Sequence, residues 1–191
     1  MSKLMTSVSG VRGVFADTLN PIIAIQFAAR FAEFQKSSHP GCTPRIIVGR
    51  DSRTTGLVML HSIIAALIGT GCEVTDIGIV PTPTVLLAVE ESEAIGGIAI
   101  TASHNPPQWN AMKFVDADGM FLAPEKAQLF LGTAQEPVNW SQWNSMGKLT
   151  HDDNAIDRHI AKVLAIPYLN IDQIRNRQFK VVIDSVNGAG G

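Results

Sequence analysis

The sequence has few cysteines, no run of basic residues and no long apolar stretch. Cys42 and Cys72 are too few for a disulfide framework and lack the spacing of metal ligands, so we expect two reduced thiols. The formal net charge is −2 and Lys and Arg do not cluster, which argues against nucleic acid and membrane surfaces as partners. No apolar stretch approaches the roughly 20 residues that span a bilayer, and no secretory leader opens the chain. We therefore expect a cytoplasmic protein.

The sequence does contain an alternation of apolar runs and helical patterns, and 46% of its 191 residues are hydrophobic. Asn20 followed by Pro21 predicts the start of a helix whose apolar residues recur at helical spacing. Strands are predicted at residues 45–48, 73–79 and 97–100, with helices at residues 57–68 and 84–90. This order predicts a three-layer α/β/α fold with a mainly parallel, mixed sheet.

Beyond residue 100 the pattern is less regular. Asp-Ala-Asp-Gly at residues 116–119 is typical of a hairpin turn, and its two carboxylates are too few oxygens for a hard cation. Helices are predicted at residues 123–131 and 150–165, an irregular connection at 133–147 and a strand at 179–183. The glycine-rich residues 184–191 lack the full pattern of a dinucleotide-binding fingerprint and predict a turn. We expect one domain over residues 1–149 and the start of a second over residues 150–191.

The most informative stretch reads Thr-Ala-Ser-His-Asn-Pro-Pro at residues 101–107, directly after an apolar run. Two consecutive prolines lack N–H groups and fix φ, so a rigid, irregular loop is predicted. Loops at the carboxyl ends of strands are where open α/β sheets place their chemistry. The hydroxyl of Ser103, the imidazole of His104 and the amide of Asn105, beside unused backbone N–H groups, suit a phosphate anion.

A serine that carries a phosphate is easier to reconcile with this loop than a serine that attacks an acyl group. His104 is a poor base for Ser103, because adjacent side chains of extended backbone point apart, and no Gly-x-Ser-x-Gly elbow surrounds the serine. Both observations argue against a serine hydrolase. Arg12 and Lys113 could offset the charge of a phosphoserine.

Four further motifs accompany the loop, and together they resemble the α-D-phosphohexomutases, which are phosphoglucomutases, phosphomannomutases and phosphoglucosamine mutases. The motifs are Ser-Gly-Val-Arg-Gly at residues 9–13, Val-Gly-Arg-Asp-Ser-Arg at 48–53, Pro-Thr-Pro-Thr at 81–84 and Val-Ile-Asp-Ser-Val-Asn-Gly-Ala-Gly at 182–190. The last of them is similar to the opening of the family's second domain. The resemblance implies a first domain of the phosphoglucomutase type.

The resemblance also implies a reaction, in which an intramolecular phosphotransferase, an isomerase, moves phosphate between C1 and C6 of a hexose phosphate. A phosphoserine at Ser103 donates its phosphoryl group, and a bisphosphate intermediate reorients and returns the other phosphate. Hexose 1,6-bisphosphate is implied as activator, and magnesium is implied to contact Ser103 through its phosphate, with further ligands in the second domain. The implied catalytic residues are Ser103, Lys113 and His104, and the implied phosphate-binding residues are Arg12, Asn105 and Thr101, with Asp51 and Arg53 organising the loop.

The resemblance reaches only from the first domain into the start of the second. We therefore expect this chain alone to be inactive as a mutase, and its motifs do not decide between glucose, mannose and glucosamine phosphates. A non-catalytic phosphosugar-binding module would use the same loop and remains the alternative. The apolar residues 181–183 lack predicted elements to cover them, so we expect dimerisation through this tail.

Overall fold

A computed structural model describes residues 3–134 and 136–191, and in that part of the chain it contains seven strands and six helices. The strands are β1 (Met5–Ser7), β2 (Gly10–Val14), β3 (Arg45–Arg50), β4 (Glu73–Ile79), β5 (Gly96–Ile100), β6 (Trp109–Asp116) and β7 (Leu149–His151). The helices are α1 (Pro21–Ser38), α2 (Gly56–Gly69), α3 (Thr82–Glu90), α4 (Pro124–Gly132), α5 (Ala155–Leu164) and α6 (Ile171–Asn176). None of these helices is long and apolar enough to cross a membrane.

The strands form one mixed sheet in the order β1-β2-β6-β5-β3-β4-β7. Three of its six pairings are parallel, namely β3 with β4, β3 with β5 and β4 with β7. The other three are antiparallel, because β6 returns directly beside β5 and the β1-β2 hairpin pairs with β6. Helices pack on both faces, so the predicted three-layer α/β/α fold with a mixed sheet is confirmed.

Two hydrophobic cores lie on opposite faces of the sheet. In β3, Ile46 and Val48 point into the core with α1, α2 and α4, whereas Ile47 points into the core with α3. This alternation follows from the two-residue period of a strand, and it explains why β3 is apolar throughout. Both faces of the central strands are therefore buried.

Helix α1 begins as predicted. The side chain of Asn20 accepts a hydrogen bond from the backbone N–H of Ile23 at 3.1 Å, and Pro21 occupies the first turn, where its missing N–H costs nothing. Phe27 and Phe31 are buried against the sheet. The helix ends before His39, whose N–H donates to the carbonyl of Gln35.

The turn at residues 116–119 is also confirmed. The Asp116 N–H donates to the Met120 carbonyl at 2.7 Å, and Gly119 adopts φ +76, a conformation that glycine accommodates best. Asp116 does more than form the turn, because its carboxylate also accepts hydrogen bonds from Gln35 and Lys126. Burial acts to raise the pKa of Asp116, but these hydrogen bonds, together with one from the Ala117 N–H and the positive charge of Lys126, outweigh it and the pKa is lowered.

The helix predicted at residues 150–165 is wrong at its start. Residues 149–151 form strand β7, which pairs in parallel with β4, and the helix begins only at Ala155. The Thr75 and Thr150 hydroxyls lie 3.1 Å apart across this pairing, which a local helical pattern cannot foresee. The predicted domain boundary after residue 149 thus falls inside an edge strand of the sheet.

The strand predicted at residues 179–183 is not formed. Within the described chain no strand lies alongside it, so its backbone has no ladder to join. Val182 is 97% exposed and its apolar neighbours are also exposed. An apolar run predicts a strand only where a partner strand is present.

Candidate active site

The loop after β5 carries Ser103 at the carboxyl edge of the sheet. Ser103 is exposed and has φ +54, a left-handed conformation that is uncommon for any residue other than glycine. Its N–H donates to the hydroxyl of Thr101 at 3.1 Å, and the Asn105 N–H donates to the Ala102 carbonyl at 3.1 Å. A serine held in such a conformation is a frequent feature of functional sites.

The side chains of Ser103 and His104 lie closer together than extended backbone would allow. Ser103 Oγ is 3.5 Å from His104 Nδ1, so the prediction that these side chains point apart is wrong. The physical reason is the left-handed φ of Ser103, which turns the two neighbours toward one side. At 3.5 Å the contact is at the outer limit of a hydrogen bond.

Arg53 clamps the loop from below. Its Nε donates to the Asp51 carboxylate at 3.0 Å, and its side chain is only 12% exposed. Its two terminal nitrogens donate to four loop carbonyls, those of Ser103 (2.7 Å), Asn105 (2.8 Å), Pro106 (2.8 Å) and Trp109 (3.1 Å). A guanidinium suits this task because its donors form a rigid fork. The loop-organising role expected of Arg53 and Asp51 matches these contacts.

Thr101 lies under the loop, not at its surface. It is 7% exposed, and its hydroxyl donates to the Asp51 carboxylate at 2.7 Å while accepting from the Ser103 N–H. The Thr101 hydroxyl thus acts both as a donor and as an acceptor within the protein. A direct contact of Thr101 with phosphate stays a prediction.

Arg12 and Lys113 approach the serine loop from β2 and β6. Arg12 pairs with Ala111 across these strands, and Lys113 follows two residues later, so both side chains lie on one face of the sheet. The Arg12 guanidinium donates to Asn105 Oδ1 at 3.1 Å. Lys113 Nζ lies 5.5 Å from the ring centroid of Phe121.

Gly10 permits this close approach of the two strands. A Cβ at residue 10 would lie 2.1 Å from the Met112 carbonyl oxygen, and Gly10 has φ +110. No other residue fits here without moving the strand that carries Arg12. The sequence motif at residues 9–13 gave the signal for this position, although its steric reason is visible only in the fold.

A cavity of about 200 Å³ brings most of the predicted site residues together. Five of the six line it, namely Ser103, His104, Thr101, Arg12 and Lys113, and Asn105 lies beside it through its bond to Arg12. Burial lowers the pKa of Lys113, and the positive charge of Arg12 lowers it further. Two cations facing one exposed hydroxyl form a site suited to an anion.

A second, larger cleft of about 690 Å³ adjoins the other side of the serine loop. Its walls come from residues 51–54, 80–82 and 186–190, and Ser103 and His104 also line it. The sequence analysis did not predict that residues 186–190 lie beside the serine loop. Their glycine-rich composition was the feature that could have suggested it.

A metal site is not assembled by the described residues alone. In residues 3–134 and 136–191 no group of three or more His, Cys, Asp and Glu side chains could hold a metal ion. The Asp51 carboxylate is engaged with Arg53 and Thr101.

A family comparison agrees with this geometry. The sequence model described as "Phosphoglucomutase/phosphomannomutase, alpha/beta/alpha domain I" matches residues 3–136. The chain belongs to this family. The match includes every predicted site residue, from Arg12 to Lys113.

Relatives in the phosphoglucomutase/phosphomannomutase family are considerably longer. A phosphoglucomutase/phosphomannomutase of Thermococcus kodakarensis is 35% identical over 95% of this chain and 39% of its own length. A phosphoglucosamine mutase of Methanococcus aeolicus is 34% identical over 95% of this chain and 37% of its own length. The chain therefore spans about two-fifths of these relatives. The crystal structure of a phosphoglucomutase/phosphomannomutase family protein from Burkholderia thailandensis superposes with a TM-score of 0.71 at 23% identity, covering 87% of this chain and 37% of that one, which supports the fold.

Proposed function

We propose that this chain supplies the phosphoserine loop of an α-D-phosphohexomutase, in which Ser103 carries the phosphoryl group. The main observation behind the proposal is the position of the exposed Ser103 hydroxyl beside the cavity lined by Arg12 and Lys113. The backbone of Ser103 has φ +54, and Arg53 binds its carbonyl oxygen. Phosphoryl transfer depends mainly on positioning and on neutralisation of charge, and these residues supply both.

The proposed half-reaction moves one phosphoryl group. Ser103 Oγ attacks the phosphorus of a hexose 1,6-bisphosphate, the bond from phosphorus to the sugar oxygen breaks, and a hexose monophosphate leaves. The serine proton passes to a base, and the leaving sugar oxygen takes up a proton. In the reverse direction, the phosphoserine donates its phosphoryl group to the free C1 or C6 hydroxyl of a hexose monophosphate. The two half-reactions together move phosphate between C1 and C6.

Lys113 is the residue we propose for proton transfer. Its lowered pKa brings its neutral form closer to neutral pH, as a base or acid of this reaction requires. The Arg12 guanidinium would contact the phosphate, oriented by its hydrogen bond to Asn105 Oδ1. His104, which lines the same cavity, would donate to a phosphate oxygen.

Magnesium stays a prediction of the family resemblance. A bound magnesium ion would share the negative charge of a phosphate on Ser103. The described residues do not assemble the remaining ligands, so we derive no step through the ion.

A non-catalytic phosphosugar-binding module is the second candidate. The 3.5 Å separation of Ser103 Oγ and His104 Nδ1 favours it, because in residues 3–134 and 136–191 no base holds the hydroxyl in a strong hydrogen bond. Such a module would bind hexose phosphates at the same loop and leave Ser103 unmodified.

The intact mass of the chain after incubation with hexose 1,6-bisphosphate separates these two functions. We expect a gain of one phosphoryl group that is lost in Ser103→Ala and retained in Ser9→Ala, a matched variant whose serine lines the same cavity. Reversible binding with no gain of mass would contradict the phosphoryl-carrier function and support the binding module.

A second copy of this chain is the partner we propose for the apolar tail. Val181, Val182 and Ile183 are 70%, 97% and 78% exposed, and pairing with another molecule would remove this apolar surface from water. A cytoplasmic location also stays a proposal from the sequence.

A further inference from the structure

We propose that Asn110 is a positioning residue for the proposed phosphoryl transfer, because it fixes both the serine loop and the loop at residues 51–55 to strand β6. This inference rests on the proposed function. Asn110 is the second residue of β6 and is 0% exposed. A buried amide group costs free energy unless both its carbonyl and its NH₂ group find hydrogen-bond partners. The two partners of Asn110 therefore indicate which parts of the site it holds in place.

The side-chain carbonyl of Asn110 ends the ladder between β5 and β6 at the point where the serine loop begins. The Thr101 N–H donates to the Ala111 carbonyl at 3.1 Å. In a continuing antiparallel ladder the Ala111 N–H would donate back to the Thr101 carbonyl, because opposite residues of such a pair exchange both bonds. Instead, the Ala111 N–H donates to Asn110 Oδ1 at 2.8 Å. The Asn110 side chain thus lets the chain leave the sheet after residue 101.

The side-chain NH₂ group of Asn110 holds the start of α2. Asn110 Nδ2 donates to Thr55 Oγ1 at 2.9 Å, although the two residues are 55 apart in the sequence. Thr55 directly precedes α2, a position where a threonine hydroxyl usually accepts from a backbone N–H of the helix. Within the described chain the Thr55 side chain makes no such capping bond, so its hydroxyl is available to Asn110.

These contacts lie next to the groups that the proposed reaction uses. Arg53, two residues before the threonine, donates to the Ser103 carbonyl at 2.7 Å and to the Trp109 carbonyl at 3.1 Å. Lys113 follows Asn110 by three residues in β6. Side chains alternate along a strand, so Asn110 lies on the opposite face and acts on Lys113 only through the backbone. The relative position of the carrier hydroxyl and the proposed proton-transfer group therefore depends on Asn110.

The test measures how fast Ser103 gains a phosphoryl group from hexose 1,6-bisphosphate, followed by intact mass over a range of bisphosphate concentrations. Thr55→Val removes the acceptor for Asn110 and keeps the shape of the side chain. We expect it to slow transfer at saturating bisphosphate about tenfold, because a misplaced hydroxyl reacts slowly. Thr55→Ser keeps the hydroxyl and should restore the rate.

The concentration dependence distinguishes positioning from binding. Among the described residues, those that line the cavity of about 200 Å³ do not include Thr55 or Asn110, so the half-saturating concentration should stay unchanged in Thr55→Val. Asn110→Ala should slow transfer at least as much, and adding Thr55→Val to it should have no further effect, because the hydroxyl acts through the amide. If Asn110→Ala does not fold, the two Thr55 variants decide the question by themselves.

Thr70→Val is the matched control, because it makes the same change at the other end of α2. Thr70 is 1% exposed, and its hydroxyl donates to the carbonyls of Ala66 and Leu67 at 3.1 and 2.9 Å. The variant also loses buried hydrogen bonds, but it lies far from the serine loop in the sequence and should leave the transfer rate unchanged.

Amide hydrogen exchange of the unreacted chain gives a second measurement that does not depend on phosphorylation. Thr55→Val should accelerate exchange of the Thr101 and Ser103 amides, whose hydrogen bonds lie at the start of the serine loop, and Thr70→Val should not.

The outcomes separate this inference from the proposed function. Transfer at the normal rate in Thr55→Val, a change in its half-saturating concentration alone, or equal slowing by Thr70→Val would overturn the inference and leave the proposed function standing. If the unaltered chain gains no phosphoryl group, the proposed function fails and exchange decides the inference. Faster exchange in Thr55→Val would then support Asn110 as the residue that positions the loop, and unchanged exchange would overturn it.

Discussion

At the scale of single residues, the site depends on one partly buried arginine. Arg53 reaches the carbonyls of Ser103, Asn105, Pro106 and Trp109, and it does so from a loop some fifty residues earlier in the chain. The left-handed φ of Ser103 is stable because Arg53 donates a hydrogen bond to the carbonyl oxygen of the same residue. The position of the proposed carrier is therefore set by a long-range contact.

Replacement of Arg53 tests this dependence. Arg53→Ala removes the side-chain donor to four loop carbonyls and leaves the Asp51 carboxylate with Thr101 but without the guanidinium, and we expect a loss of about 2–4 kcal/mol in the free energy of unfolding. Amide hydrogen exchange over residues 101–107 should accelerate, and phosphorylation of Ser103 should slow. Arg53→Lys keeps the charge but not the forked donors, so a lysine variant with normal exchange and phosphorylation would contradict the clamp.

Lys113 should show a pH signature of its burial. Since burial and Arg12 lower its pKa, the folded chain binds fewer protons than the unfolded chain between that lowered pKa and 10.5. The free energy of unfolding should rise with pH across this window, and Lys113→Met should remove that part of the rise. Denaturant unfolding at several pH values measures both. An identical pH dependence in the two proteins would show that the Lys113 pKa is not lowered.

At the scale of elements, sequence patterns predicted the elements whose boundaries depend on neighbouring residues in the chain. The start of α1 was predictable because Asn20 and Pro21 lie in the same turn that they cap. Strand β7 was not predictable, because three residues are too few to show the alternating pattern of a strand. Its partner β4 also lies some seventy residues away in the sequence. The site residues were predictable from their motifs, whereas the contact of Ser103 with His104 was not, because it depends on the loop being clamped by Arg53.

The hydrophobic core between the sheet and helices α1, α2 and α4 depends on an aromatic cluster of α1, α4 and β6. The Phe130 ring lies 4.7 Å from that of Phe114 and 5.7 Å from that of Phe31, measured between centroids. Phe130→Ala should cost about 3–5 kcal/mol of unfolding free energy, because it leaves a cavity in a packed core. Leu129→Ala is the matched control, since Leu129 is 67% exposed in the same helix. Equal costs in the two variants would contradict the assignment of the core.

At the scale of the whole molecule, residues 3–134 are well packed and the last part of the described chain is not. Helix α5 does contact α3, where Thr84 bonds His159 at 2.8 Å and Lys162 pairs with Glu90. Beyond α5 the apolar side chains are largely exposed. The domain boundary after residue 149 stays a prediction, and it could not be settled from the sequence because β7 and α5 both rest on the first part of the chain.

The exposed tail predicts self-association. Sedimentation of the chain over a range of concentrations should give a monomer–dimer equilibrium, and Val182→Lys should shift it toward monomer, because a charge would be buried in the apolar contact. Ile22→Lys is the control, since Ile22 is an apolar residue that is 67% exposed on α1 and is not part of the tail. A monomer at every concentration would contradict the proposed dimer, as would equal weakening by both variants.

The central claim, that Ser103 accepts a phosphoryl group from a hexose 1,6-bisphosphate, is tested most directly by ³¹P NMR of the reaction mixture. The account predicts a new protein-bound phosphomonoester signal and an equal amount of hexose monophosphate, because one P–O bond breaks for each one that forms. Both should be absent with Ser103→Ala. Release of monophosphate without the protein-bound signal, or an unchanged reaction with Ser103→Ala, would contradict it.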